Sequence, residues 1–191
     1  MKIGLLGGVF DPPHKGHIST ASFLIKNEIV DTIIVVPSFV QPLKSKADTP
    51  YNIRLEMARY AFIHEERVIV SDIESRLTVP SYTINTVAEL RKEYSDEIFV
   101  IIGYDQAEDI SRWHRYEELC RSVKFIIIKR DYKEHDVDCV LLKSAVLIEN
   151  PVLKISSTQI RNMIKNGNET GSYLTDEVLS IIKREKLYIE R

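Results

Sequence analysis

Apolar residues come in two rhythms along this chain, and the two alternate. Short unbroken runs form the first: MKIGLL at the start, DTIIVVPS (31–38), ERVIVSDIE (from 65 or 66 to 74), EIFVIIG (97–103), VKFIIIKR (123–130) and AVLIE (145–149). They are rich in β-branched residues and do not alternate with polar ones. Strands that read this way are buried on both faces, as in parallel sheets. The second rhythm has helical spacing: Ile18, Ala21 and Ile25 in a helix beginning near Lys15; Ile53, Met57 and Ala61; Ile84, Val87, Leu90 and Tyr94; Ile160, Met163 and Ile164. Thr49-Pro50 supplies an N-cap and a first-turn proline for the second helix. Asn166-Gly167 stops the helix around Ile160, and a last one starts at Thr175 with Asp176 and Glu177 in its first turn.

Strands alternating with helices predict right-handed βαβ units, hence an α/β fold: a Rossmann-like parallel sheet with helices on both faces. Ligands of such sheets lie at the carboxyl ends of the strands, at the switch point. Segments 39–48, 76–81 and 131–139 read as loops, and no repeat or composition shift divides the chain, so residues 1–191 form one domain.

Composition narrows the function classes. A formal charge of −2 argues against broad nucleic-acid binding. Cys120 and Cys139 show no CxxC spacing, so neither a disulfide framework nor a zinc site is indicated. No apolar run approaches the ~20 residues of a membrane span. Asp11 and the prolines interrupt any signal sequence, which makes the chain cytoplasmic.

Chemistry concentrates in four stretches. GGVFDPPHKGH (7–17) lies between the first strand and first helix. Gly7 and Gly8 let a ligand approach the backbone, and Pro12 and Pro13 stiffen the turn. His14 and His17 stand beside N–H groups that lack intrahelical partners, an arrangement suited to phosphate. A metal on these two histidines needs a third protein ligand, and the sequence places none nearby. In KISSTQIRNMI (154–164), Ser156, Ser157 and Thr158 cluster at a helix start, and Arg161 offers a guanidinium to a polyphosphate. IGYDQAEDISRWHRYEEL (102–119) brings Gly103, then Asp105 as an acceptor for ribose hydroxyls, then the lone Trp113 as a face for a flat ring or an anchor to the core. His114 reads as an exposed residue at a helix start. PSYTINTVAEL (80–90) puts Ser81, Tyr82 and Thr83 at a helix N-terminus, with Thr86 one turn on.

The order G-x-F-D-P-x-H-x-G-H resembles the signature of the HIGH-motif nucleotidyltransferases, and I-S-S-T-x-I-R resembles their C-terminal signature. S-Y-T-I-x-T and G-x-D…W-x-x-x-x-E-L are similar to the nicotinate-mononucleotide adenylyltransferases in particular. The likeness runs from Met1 to about Lys186. It implies the HIGH-type nucleotidyltransferase fold, with C-terminal helices from about residue 156 closing an ATP site. It also implies a reaction of NAD biosynthesis: ATP and nicotinate mononucleotide give nicotinate adenine dinucleotide and pyrophosphate, with Mg²⁺ carried by the ATP phosphates and no metal held by side chains. His14, His17 and Arg161 would be catalytic. Gly8, Val9, Phe10, Gly16, Gly103, Asp105, Ile155, Ser156, Ser157 and Thr158 would bind ATP. Tyr82, Thr83, Thr86, Trp113 and Lys44 would bind the pyridine nucleotide. The expected partners are these small molecules, not nucleic acid or membrane, with room for a homo-oligomer. Two positions depart from the family: Val9 stands where Thr is usual, and QPLKSK replaces a loop that commonly reads P-H-K, so Lys44 is only an approximate match. The alternatives are a sister enzyme acting on phosphopantetheine and a nucleotide sensor without turnover. The nicotinate form should be preferred over the nicotinamide, because N–H groups at a helix start favour a carboxylate.

Overall fold

In the computed structural model, residues 1–42, 47–129, 145–149 and 155–189 are described. Six strands, β1 (Lys2–Gly8), β2 (Thr32–Pro37), β3 (Val68–Val70), β4 (Glu97–Gly103), β5 (Lys124–Lys129) and β6 (Ala145–Glu149), form one sheet in the order β3-β2-β1-β4-β5-β6. Every pairing is parallel. The helices among the described residues are α1 (Lys15–Lys26), α2 (Tyr51–Ala61), α3 (Thr83–Glu93), α4 (Tyr104–Glu108), α5 (Tyr116–Ser122), α6 (Ser157–Lys165) and α7 (Asp176–Arg184).

The continuous apolar strands have the predicted cause: successive residues enter two different cores. Leu6, Ile33, Val35, Phe99, Ile101 and Ile126 pack with α1, α2, α6 and α7 on one face, through side chains such as Leu24, Met57, Ile160 and Ile181. Leu5, Ile34, Val36, Val100, Ile102 and Ile127 pack with α3, α4 and α5 on the other, against Val87, Leu90, Ala107 and Leu119. Full burial of each such side chain is worth about 1.5–3 kcal/mol. Cys120 belongs to the second core; Cys139 lies outside the described residues.

Three boundaries differ from the sequence reading. The run 65–74 makes a strand of only Val68–Val70, followed by a 3₁₀ turn at Ile73–Arg76. β3 is an edge strand that pairs with Ile33–Val35, and the other apolar residue of the run, Ile73, lies in the 3₁₀ turn. Helix α2 starts at Tyr51 with Pro50 in the cap position. Thr49 is diverted from capping because its hydroxyl donates to Tyr188 Oη (3.1 Å) and its carbonyl accepts from Arg54 Nε (3.1 Å). The stretch after β4, which carries no helical periodicity, holds the two short helices α4 and α5 joined by a 3₁₀ turn. The predicted loop 131–139 falls outside the described residues. Among the described residues no helix is long and apolar enough to cross a membrane.

β1 pairs with β2 on one side and β4 on the other. The chain steps outward from β1 to β3 and then returns to lay down β4. That reversal opens a crevice beyond Gly8 and Gly103, where the Gly-rich turn and the Gly103 turn both lie.

Candidate active site

Two cavities open from this crevice, one of about 490 Å³ on the side of α1 and α6, the other of about 450 Å³ on the side of α3 and α4. Gly7 and Gly8 belong to the walls of both, as do Gln41 and Gln106.

The larger cavity is built from the turn between β1 and α1. Phe10 adopts φ 52°, a left-handed conformation that costs roughly 1–2 kcal/mol outside glycine. Its ring is 2% exposed, and that burial offsets the strain. A Cβ on Gly8 would crowd this ring at 3.3 Å, whereas one on Gly7 would meet no protein atom within 4 Å. The space over Gly7 is the cleft itself. His14 caps α1, and its N–H donates to His17 Nδ1 at 3.1 Å. The neutral His17 ring therefore carries its proton on Nε2. The two imidazoles stack at 3.7 Å between centroids, with Phe10 against His17 at 4.9 Å.

The helix start offers fewer backbone donors than its sequence suggests. Lys15 N–H donates to Tyr173 O and His17 N–H to His14 O. Gly16 is buried inside α1 and lines neither cavity; its carbonyl accepts the hydroxyls of Ser19 and Thr20.

Helix α6 faces this turn and grips it. Ser157 Oγ donates to Pro12 O at 2.8 Å, and Arg161 Nη1 to Asp11 O at 2.9 Å. Arg161 Nε also pairs with Asp48 at 3.2 Å, and its Nη2 approaches Thr158 Oγ1 at 3.4 Å. Ser156 is the N-cap, exchanging hydrogen bonds with Gln159. The hydroxyls of Ser156 and Ser157 are thus committed to the protein in this state. Ile155 is in the core, with its side chain away from either cavity wall.

Behind the turn lies a set of polar groups that the sequence reading missed. Arg54, 3% exposed, donates from Nη1 to Val9 O at 2.7 Å and reaches Thr49 O; burial pushes its guanidinium below the usual range. Asp11, equally buried, accepts from Tyr188 Oη at 2.6 Å and from the N–H groups of Asp48 and Thr49. Burial and the Asp11 charge together raise the Tyr188 phenol well above its ordinary value.

The smaller cavity is more aromatic. Tyr82 caps α3 and stacks on His114 at 4.1 Å with rings 22° apart. Trp113 is half-buried against the second core, which anchors it, and it also lines the cavity. His114 does precede a helix and is exposed, yet its ring is part of this wall. Thr83 and Thr86 line the cavity too, but Thr86 is 2% exposed and its hydroxyl donates to Glu74 Oε1 at 2.9 Å, so it offers that proton to no ligand. Lys44 falls outside the described residues.

Gly103 and Asp105 divide between the two spaces, Gly103 facing the larger and Asp105 the smaller. A Cβ on Gly103 would sit 2.6 Å from Asp105 Oδ1, so the exposed Asp105 side chain would have to turn aside. Its N–H donates to Gln106 Oε1 at 3.0 Å. Among the described residues no three His, Cys, Asp or Glu side chains gather as metal ligands.

The cytidylyltransferase-like family model matches residues 5–163. A probable nicotinate-nucleotide adenylyltransferase of Fusobacterium nucleatum is 34% identical over 97% of this chain and 98% of its own length. The nicotinate-nucleotide adenylyltransferase of Bacillus subtilis is 33% identical over 98% of each chain. Among solved structures, the nicotinic acid mononucleotide adenylyltransferase of Plasmodium falciparum complexed with NaAD shares the fold, with a TM-score of 0.82 at 23% identity over 98% of this chain and 97% of that one.

Proposed function

The chain belongs to the nicotinate-nucleotide adenylyltransferase family, and from that premise we propose that its cleft joins ATP to nicotinate mononucleotide, giving nicotinate adenine dinucleotide and pyrophosphate. The observation that carries the reading is the shared wall at Gly7 and Gly8. Two substrates held in the two cavities would bring their phosphates together there, at the end of β1. The larger cavity, with His14, His17 and Arg161, suits a polyphosphate. The smaller one, with Trp113 and the Tyr82–His114 stack, suits a flat pyridine ring.

In this reading an oxygen of the mononucleotide 5′-phosphate attacks the α-phosphorus of ATP in line. A new P–O bond forms as the bond to the β-phosphate oxygen breaks, and pyrophosphate leaves with that electron pair. No side chain becomes covalently attached, so catalysis is positioning and charge stabilisation. With Nδ1 occupied by the His14 N–H, His17 presents its Nε2 proton to a non-bridging α-phosphate oxygen. Arg161 offers its fork to the leaving phosphates once they displace Asp48 from Nε. Ser156, Ser157 and Thr158 then act through the backbone and shape of the α6 start, since two of their hydroxyls are engaged. Asp105 serves the ribose side from the mouth of the smaller cavity.

Mg²⁺ carried by the ATP phosphates would supply further neutralisation of their charge. The residues fit a metal held by the nucleotide: Asp11 is committed to Tyr188 and to backbone N–H groups, and among the described residues no three His, Cys, Asp or Glu side chains gather as metal ligands. A reaction between soluble substrates fits a cytoplasmic chain.

The test is pyrophosphate release from ATP and Mg²⁺ with a panel of acceptors. Release with nicotinate mononucleotide and not with phosphopantetheine is expected. Equal rates with phosphopantetheine, or nucleotide binding without release, would overturn the assignment.

A further inference from the structure

Glu74 is a carboxylate buried in the wall of the smaller cavity, 7% exposed, with a role that the reaction as described leaves unused. It stands on the 3₁₀ turn after β3, on a segment with no motif residue. Its two oxygens collect donors from separate parts of the chain. Oε2 accepts the Phe39 N–H at 3.1 Å, from the segment that follows β2. Oε1 accepts the Thr86 hydroxyl at 2.9 Å, from the first turns of α3. The Ser81 hydroxyl lies close enough to favour its charged form. Ser81 ties the same pieces a second time: its N–H donates to Val40 O at 2.8 Å, and its Oγ accepts the Val40 N–H at 3.1 Å. The segments joined in this way carry Gln41, Tyr82 and Thr83, all of which line the smaller cavity.

An ionised carboxylate only accepts hydrogen bonds, so it fixes its two donors in one sense; an amide in its place presents donor and acceptor faces together. Burying that charge is costly, and a wall needing only to be filled would be filled more cheaply by an apolar side chain. Burial indeed raises the Glu74 acid above its ordinary value, while Ser81, Thr86, the Phe39 N–H and the Arg54 charge pull the other way.

We infer that Glu74 is a positioning residue for the acceptor nucleotide, its carboxylate locking the segment after β2, the Ser81 turn and the start of α3 into the shape that receives the mononucleotide. This rests on the functional reading above. It predicts an asymmetry between substrates, because no hydrogen bond of Glu74 reaches the α1–α6 side. Glu74→Gln should raise KM for nicotinate mononucleotide about tenfold, the scale of one charge-assisted hydrogen bond. KM for ATP and kcat should stay within about twofold. Ser81→Ala, which removes the hydroxyl that holds the Val40 N–H and favours the Glu74 charge, should shift the same KM in the same direction by less, and it carries the test if Glu74→Gln folds poorly. The experiment is a pair of substrate titrations, each at saturating co-substrate, with thermal melting run alongside. A rise in both KM values together, or in neither, overturns the role of Glu74 when the wild type is active. A wild type that releases no pyrophosphate with this acceptor overturns the functional reading instead.

Discussion

The two ends of the cleft are held by different means. On the α1–α6 side the cationic and hydroxyl side chains are bonded to backbone carbonyls before any ligand arrives: Ser157 to Pro12, Arg161 to Asp11 and Arg54 to Val9. On the α3–α4 side the lip is made of rings that touch one another, Tyr82 on an exposed His114, with a half-buried Trp113 beside them. Stabilising a developing charge requires donors that need no reorganisation at the moment of reaction. Recognising a flat ring requires area, which stacked side chains supply without fixed hydrogen bonds. In the proposed reading the first end is wired for chemistry and the second is surfaced for recognition.

The contrast is broken most severely at His17. His17→Ala should lower kcat by roughly 10²–10³-fold, about 2.7–4 kcal/mol, with melting temperature and both KM values little changed. Steady-state kinetics beside a melting curve checks it; early melting would make the residue structural. Arg54→Met should act through stability, since it strands the carbonyls of Val9 and Thr49 in the interior. The cost is about 2–4 kcal/mol by chemical denaturation, with a fall in kcat as the turn loosens. Arg161→Lys keeps the charge and loses the planar fork, so KM for ATP should rise about ten- to a hundredfold while KM for the mononucleotide holds. At the ring end Trp113→Ala should raise KM about tenfold for the nicotinate and nicotinamide mononucleotides alike, leaving the preference for the acid unchanged. A loss of that preference in the variant would show that Trp113 reads the ring substituent and not just the ring.

Much of the fold was legible because burial on both faces leaves a plain mark. EIFVIIG and AVLIE are strands from their first residue to their last, and Thr175 caps the final helix as read. The length of β3 was not legible, since an apolar run says nothing about whether a neighbour pairs with all of it. In the cleft, the motif residues could be found because glycines, prolines and histidines cluster there. Arg54 and Glu74 could not. A charged residue on an amphipathic helix or after a strand reads as solvated, and only the tertiary structure shows it to be buried. Tyr188 lies 177 residues from the Asp11 carboxylate that it meets, beyond any local pattern. His114 was placed correctly beside a helix, but its stacking partner comes from another element.

Gly7 sets laboratory selection against biological use. An added methyl would meet no protein atom, and the residue's backbone is that of an ordinary strand, so Gly7→Ala should stabilise the empty protein by about 0.4–1 kcal/mol through the entropy of its unfolded chain. The same methyl would stand in the wall common to both cavities, where the proposed reaction brings the two phosphates together. A screen that rewards thermal tolerance alone would therefore keep this variant, and a screen in which growth depends on the enzyme making its product would discard it. Running both screens on one library would give the substitution opposite enrichment, and agreement between them would mean that no substrate comes close to that backbone.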